Sequence, residues 1–374
     1  MKILLTGGGT GGHFYPLVAI AEELSILAQK EKILDLRLYY MADSPYDKQV
    51  LFNNRITFVQ VPAGKMRTYS SIKNFFDMFS TGLGAVVGLM KVFAIYPDVV
   101  ISKGGYASFP AVFAAKVLRI PVIVHESDSY PGRLNLWTAK WATHVAVSWP
   151  EAVEYLPKEK TVLTGQPIRK SIVHGATEGA YEFFGFDSEK PTIFILGGSQ
   201  GADIINKVII DALELLLDKY QIIHQTGINN FKDVKLRSDF ILEKNPKKNH
   251  YKPIAYMNDV TTKMAAGVAT IVLSRAGSTI FEIASWGVPS IIIPITNSNG
   301  DHQRKNAFNY ARTGAAEVVE EVNFKPHVIT ALINKLVDDK DKMQRMRDAA
   351  NKFANPNAAQ MIAQEALKIS ISHE

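Results

Sequence analysis

Three glycine-rich turns and one polar cluster, each close behind an apolar run, hold the residues best able to do chemistry in this chain. The first turn is Gly7-Gly8-Gly9-Thr10-Gly11-Gly12-His13. Glycines after a strand let the backbone approach a phosphate, and the helix that follows directs unpaired N–H groups and a partial positive charge at it. Gly7, Gly9 and Gly12 also satisfy the G-x-G-x-x-G pattern of dinucleotide sites, for which Asp43 is the acidic candidate, later in the chain than that pattern wants. The second turn, Gly197-Gly198-Ser199-Gln200-Gly201, fits a phosphate cradle and also the nucleophile elbow G-x-S-x-G of hydrolases. The hydrolase reading leaves the first turn unexplained. In the third, Ser274–Glu282, small residues open a helix whose Glu282 can be a dipole partner or can accept hydrogen bonds from a ribose diol. The polar cluster Asn299-Gly300-Asp301-His302-Gln303 offers amide and imidazole groups suited to sugar hydroxyls. Asp339-Lys340-Asp341, a D-x-D, lies in a charged late helix and reads as solvated surface, so no metal site is expected.

The elements that must position these residues alternate along the chain as apolar runs and helix-length amphipathic segments, which predicts parallel α/β architecture. Lys2–Thr6 reads as a strand, followed by a helix with Leu17, Ile20, Ala21, Leu24 and Leu27 on one face. The plan repeats with Thr192–Leu196 as strand and 204–217 as helix. Further buried strands are read at 98–102, 121–125, 161–164, 270–274 and 289–294. Every polar or glycine-rich cluster falls at a strand's carboxyl end, where open α/β sheets bind ligands. With 374 residues the chain exceeds the size at which one core stops growing, so two Rossmann-like domains with a cleft between them are expected. The absence of cysteine excludes disulfides, thiolate metal sites and a cysteine nucleophile. The first apolar run is too short for a signal peptide, and Leu83–Ile101 is broken by Lys91, Pro97 and Asp98, so no spanning helix is expected. The net charge of +6 fits a mildly basic enzyme with a phosphorylated ligand or an anionic membrane surface. There is no aromatic-basic motif for nucleic acid.

Taken in order, Gly7–His13, Lys103–Ser108 (KGGYAS), His125–Gly132 (HESDSYPG), Gly165–Arg169 (GQPIR), Gly197–Ala202, Ser274–Glu282 and Asp301–Ala307 (DHQRKNA) resemble glycosyltransferase family 28, over nearly the whole chain. The resemblance implies the GT-B fold, α/β with two Rossmann-like domains: an acceptor and membrane domain over 1–165, joined by a returning helix over 355–374, and a donor domain over 166–354. It also implies domain closure over UDP. The implied reaction is inverting transfer of N-acetylglucosamine from UDP-N-acetylglucosamine to the sugar 4-hydroxyl of undecaprenyl-pyrophosphoryl-N-acetylmuramyl-pentapeptide, without a cofactor, at the cytoplasmic face of the membrane. By position, Ser199 and Gln200 would meet the donor pyrophosphate, Glu282 the ribose, Tyr256 and Met257 the uracil, His302 and Gln303 the N-acetylglucosamine, and Arg169 the nucleotide. Thr10, Gly11, Gly12, Gly104, Gly105 and Tyr106 would hold the acceptor. His13 is the expected general base, since imidazole suits proton removal near neutral pH, or it binds acceptor instead. The chain departs from the family at Ser127-Asp128, where Gln-Asn is usual, and at Gln166, where Asn is common. An ionised carboxylate only accepts, whereas an amide also donates, so Asp128 becomes a second candidate base or changes how the acceptor is read.

The stretch 64–94 mixes Phe75, Phe76, Met78, Phe79, Leu83, Val86, Val87, Leu89 and Met90 with Lys65, Arg67, Lys73 and Lys91. It reads as a core helix pair or as an interfacial segment, and a lipid-linked acceptor favours the second. Rival functions are another lipid glycosyltransferase or a sugar-nucleotide epimerase on the same fold, and a Rossmann dehydrogenase.

Overall fold

A computed structural model describes residues 1–64, 72–198, 201–296 and 298–372, with the side chains of 72–78 and of residue 299 outside the description. Two compact units emerge, one formed by Met1–Arg169 with Asn355–Glu374 and the other by Lys170–Ala354.

The first unit holds a seven-stranded sheet of β1 (Lys2–Thr6), β2 (Arg37–Ala42), β3 (Ile56–Gln60), β4 (Val99–Ser102), β5 (Val122–Glu126), β6 (His144–Val147) and β7 (Thr161–Leu163), in the order β3-β2-β1-β4-β5-β6-β7. All its pairs are parallel. Such sheets are covered on both faces, and the central strands are accordingly buried and apolar, Ile3-Leu4-Leu5 and Val99-Val100-Ile101 among them. Thr6 lies in register with Ser102, so the turns leaving β1 and β4 start side by side. This is where the strand order reverses, the place at which open α/β sheets form a crevice.

The second unit repeats the plan with β8 (Thr192–Leu196), β9 (Gln221–Gln225), β10 (Tyr251–Ile254), β11 (Ala269–Ser274), β12 (Ser290–Ile292) and β13 (Ala316–Val318), in the order β10-β9-β8-β11-β12-β13. Leu196 is in register with both Ser274 and Gln225, which brings three strand ends together at its own reversal point. The helix expected over 204–217 is two, Asp203–Asp211 and Leu213–Leu217, broken at Ala212. β10 contains Pro253 and lies at the sheet edge, where a missing N–H is tolerated.

Two further helices matter for the site. Ala358–Ser372 packs along Gly11–Lys30 and places Ile362, Ala363, Ala366 and Leu367 in the core of the first unit. Asn355 Nδ2 ties its start down by donating to the Thr164 carbonyl at 2.7 Å. The helix Ile72–Ile95 packs against Phe109–Leu118. Gly84 and Gly88 make that contact close: a Cβ on Gly84 would lie 2.0 Å from the Pro62 carbonyl oxygen, and one on Gly88 2.9 Å from Pro110. The opposite face carries Phe79, Leu83, Val86, Met90 and Phe93, spaced three or four apart and each more than half exposed. The sequence offered a packed helix and an interfacial one as rivals; the helix is packed on one face and leaves an apolar row exposed on the other. Phe75, Phe76, Met78 and Lys73 lie in the part whose side chains are undescribed, and Lys65 and Arg67 outside the described residues. Among the described residues, no helix is long and apolar enough to cross a membrane.

Candidate active site

Each unit carries a cluster at its own reversal point. In the first, the turn after β1 leads into Gly11–Lys30, whose first N–H groups have no carbonyl a full helical turn before them. Thr10 stands at the N-cap, yet its hydroxyl bonds no backbone N–H; it pairs with His13 Nδ1 at 3.0 Å. Beside it, the turn after β4 holds Gly104 at φ +76°, where a Cβ would sit 2.5 Å from Asn135 Oδ1, so only glycine fits. Gly104 N–H reaches Ser102 Oγ at 3.2 Å, and Ser108 Oγ donates to the Gly104 carbonyl at 2.6 Å. Tyr106 follows, its ring against Gly9 and its hydroxyl donating to Asp43 Oδ2 at 3.0 Å. Burial and the Asp43 charge push the Tyr106 hydroxyl up to about 12. The acid that a dinucleotide reading would give to a ribose is thus engaged with a tyrosine.

Behind these turns lies a buried polar network from the ends of β4, β5 and β6. Lys103, 2% exposed, donates through Nζ to Ser127 Oγ and approaches Gln166 Oε1 at 3.5 Å. Ser127 Oγ and Ser148 Oγ donate to that same oxygen at 2.8 and 2.9 Å. Burial pushes the Lys103 ammonium down to about 8, opposed by the charges of Glu126 and Asp128. Glu126 is raised above its ordinary range by burial and by Asp128, although it accepts from Asp128 N at 2.9 Å, Gly132 N at 2.9 Å and Asn135 Nδ2 at 2.8 Å. His125 donates through Nε2 to the Gly165 carbonyl at 3.0 Å, and burial, with Lys103 adding, holds it well below its usual range. Arg169 stacks its guanidinium over the Tyr15 ring at 3.8 Å, within the first unit.

In the second unit the turn after β8 precedes the helix Asp203–Asp211. Ser199 and Gln200, expected at the donor pyrophosphate, lie outside the described residues. Gln225, at the end of β9, bridges two of the expected donor segments: its Nε2 donates to the Gly198 carbonyl at 3.2 Å and its Oε1 accepts from Met257 N at 3.3 Å. Met257 is buried, and Tyr256 is 37% exposed. Glu282 is half-buried in the first turn of Thr279–Ser285. Asn306 Nδ2 donates to the Ala276 carbonyl at 3.1 Å and so joins the turn after β11 to the helix His302–Arg312. His302 opens that helix, and Gln303 Oε1 accepts from Ile295 N at 3.2 Å. Arg275 and Glu321 pair at 2.7 Å. Burial works against the Glu321 carboxylate, but hydrogen bonds from Thr296 and Arg275 hold it below its ordinary range. Beyond β12 a cavity of about 500 Å³ is lined by Thr296, Ser298, Asp301, Arg304 and Glu320 among others.

The structure thus gathers Thr10, Gly11, Gly12, His13, Gly104, Gly105 and Tyr106 at one strand reversal, with Asp128 on the loop after β5. In the second unit, Tyr256, Met257, Glu282, His302 and Gln303 follow the ends of β10, β11 and β12. Sequence reasoning did not single out Lys103 or Gln225, which the structure places in hydrogen-bond networks at strand ends. The signal was a charged or amide side chain at the end of a buried strand, where a polar group needs a partner.

The family matches agree with both halves. The glycosyltransferase family 28 N-terminal domain matches residues 3–147, and the family 28 C-terminal domain matches 192–362. A curated relative from Treponema denticola, named UDP-N-acetylglucosamine--N-acetylmuramyl-(pentapeptide) pyrophosphoryl-undecaprenol N-acetylglucosamine transferase, is 32% identical and covers 96% of each chain. One of the same name from Clostridium kluyveri is 34% identical over 95% of this chain and 98% of its own. The crystal structure of MurG from Acinetobacter baumannii superposes with a TM-score of 0.71 at 22% identity, covering 98% of this chain and 99% of the other, a likeness of fold.

Proposed function

The chain belongs to glycosyltransferase family 28, and from that premise we propose that it transfers N-acetylglucosamine from UDP-N-acetylglucosamine to the 4-hydroxyl of undecaprenyl-pyrophosphoryl-N-acetylmuramyl-pentapeptide. What carries the proposal is identity of 32–34% to transferases of that name over about 95% of the chain. The two glycine-turn clusters fit it, one for each phosphorylated substrate.

In this reading the second unit holds the donor. The N-terminus of Asp203–Asp211 and the turn before it meet the pyrophosphate, whose charge grows as UDP leaves. Ser199 and Gln200 belong to this assignment on sequence grounds. Glu282 accepts from the ribose hydroxyls, and the backbone at Tyr256-Met257, steadied by Gln225, meets uracil. His302 and Gln303 meet the sugar; with Gln303 Oε1 already accepting from Ile295, its NH₂ is the group that does so. Arg169, stacked on Tyr15, is assigned to the nucleotide on sequence grounds.

The first unit holds the acceptor, its pyrophosphate at Gly11, Gly12, Gly104 and Gly105, with Thr10 and Tyr106 flanking. His13 takes the proton from the attacking hydroxyl through Nε2, and the anomeric carbon inverts as the bond to UDP breaks. Asp128 acts through its charge, which bears on Lys103 and Glu126. No metal or cofactor takes part in this scheme, because backbone N–H groups and helix ends meet the phosphate charge. The exposed row Phe79, Leu83, Val86, Met90 and Phe93 supports peripheral attachment at the cytoplasmic face, where the lipid tail of the acceptor is held.

The test is transfer of radiolabelled N-acetylglucosamine to the lipid-linked acceptor in EDTA, comparing wild type with His13→Ala, Asp128→Asn and Glu282→Ala. Wild type transfers under chelation, His13→Ala loses about 100-fold or more in kcat, and Glu282→Ala raises KM for the donor. A folded, UDP-binding wild type that transfers nothing would overturn the acceptor assignment.

A further inference from the structure

We propose that Lys103 is a positioning residue of this transfer: its buried ammonium is the hydrogen-bond donor that holds the acceptor turn Gly104-Gly105 and the loops carrying Ser127 and Gln166 in one arrangement. The proposal rests on the reading of the first unit as the acceptor site.

Donor supply is short at Ser127 itself: the Gln166 amide nitrogen is buried but engages none of these groups. Gln166 Oε1 takes both the Ser127 and the Ser148 hydroxyl protons, so neither hydroxyl can donate elsewhere. An ionised Asp128 donates nothing from its side chain. Ser127 Oγ still has lone pairs to satisfy, and Lys103 Nζ supplies the proton, forming a relay from Lys103 to Ser127 to Gln166. The relay joins the turns after β4 and β5 to the turn at Gly165, and Ser148 adds the end of β6; backbone bonds from Lys103 N, Ser148 N and Gly165 N carry the ladder to these turns, and beyond them side chains make the links. Keeping an ammonium here requires negative charge, and Glu126 and Asp128 provide it. Lys103 also directly precedes Gly104, whose positive-φ turn is wedged against Asn135, itself bonded to Glu126. Ammonium, carboxylates and turn therefore form one unit, and the acceptor turn inherits its place from the ammonium.

The same argument says what can replace it. Amides at 127 and 128 would bring N–H donors without charge, so Ser127→Gln with Asp128→Asn should make the ammonium dispensable. Two readouts are compared for wild type, Lys103→Met and the triple variant Lys103→Met/Ser127→Gln/Asp128→Asn: transfer kinetics, and amide hydrogen exchange at 104–108 without substrate. In Lys103→Met, kcat is expected to fall about tenfold to a hundredfold, with UDP affinity unchanged and exchange at the turn accelerated. The triple variant should recover to within about threefold of wild type in kcat, with protection restored. Wild-type behaviour of Lys103→Met in both readouts would overturn the proposal. So would a triple variant no better than Lys103→Met, whether inactive or unfolded. If Lys103→Met alone does not fold, a folded, protected triple variant still supports it. Failure of wild type to transfer at all would instead sink the acceptor reading, and the exchange readout would still decide the role of Lys103.

Discussion

Thr10 is the hydroxyl that can hold His13 in the tautomer its proposed role as base requires. A hydroxyl can donate or accept, but for Nε2 to act as base, Nδ1 must carry the hydrogen and donate to Thr10 Oγ1, 3.0 Å away. Thr10→Val should therefore lower kcat about tenfold with donor KM unchanged, whereas Thr10→Ser should keep most activity, as steady-state kinetics would show. Gly201 is a second single-residue case: at φ +80°, a Cβ would lie 2.2 Å from the Thr226 carbonyl oxygen. Gly201→Ala should destabilise the second unit by about 1–3 kcal/mol and weaken UDP binding, checked by thermal unfolding with and without UDP. Glycines of this kind are legible in a sequence because the requirement is local. Lys103 and Gln225 were not, because their partners come from other strand ends, and only the strand order makes them neighbours.

At the scale of elements, the helix Ile72–Ile95 has the clearest division of labour. Its glycine face must stay small, so Gly84→Val should destabilise the first unit by several kcal/mol, about the size of severe overpacking against backbone. Leu83 and Met90 on its other face are each more than half exposed, so Leu83→Asp with Met90→Asp should leave thermal stability and UDP binding intact. In the proposed membrane contact each apolar side chain is worth about 1.5–3 kcal/mol when buried, so this double variant should lose more than tenfold in partitioning to anionic vesicles. Strands such as β1 and β8 were legible as unbroken apolar runs. β3 and β9 carry polar residues among the apolar ones, β6 begins with His144 and β10 contains proline, and tertiary pairing rather than local pattern makes them strands. The break at Ala212 was likewise hidden, because the apolar spacing runs through it.

The duplicated plan was the most legible feature of the whole molecule, because each unit states its strand–glycine–helix entry in consecutive residues. Each unit also keeps one buried neutral histidine, His125 or His224, the latter pushed down to about 3 by burial. The unfolded chain protonates near the ordinary 6.5, so below that pH it binds more protons than the folded state. Each histidine's contribution is whole above about pH 6.5 and is lost as pH falls, by up to about 1.4 kcal/mol per pH unit. Glu126, raised in the folded state, acts with the opposite sign and softens the loss in the first unit. Denaturant melts between pH 7 and 5 should therefore show the second unit losing more, and His224→Gln should flatten its slope. The helix Ala358–Ser372 has a different consequence, one of birth order. On the ribosome the second unit is complete once Ala354 has emerged, while the first, begun earlier, still lacks the residues that close its core. At about 5–20 residues per second the early half waits roughly 10–40 s with an open apolar face, so the unit made first is the one finished last, and a nascent chain stalled near residue 354 is the form most in need of a chaperone.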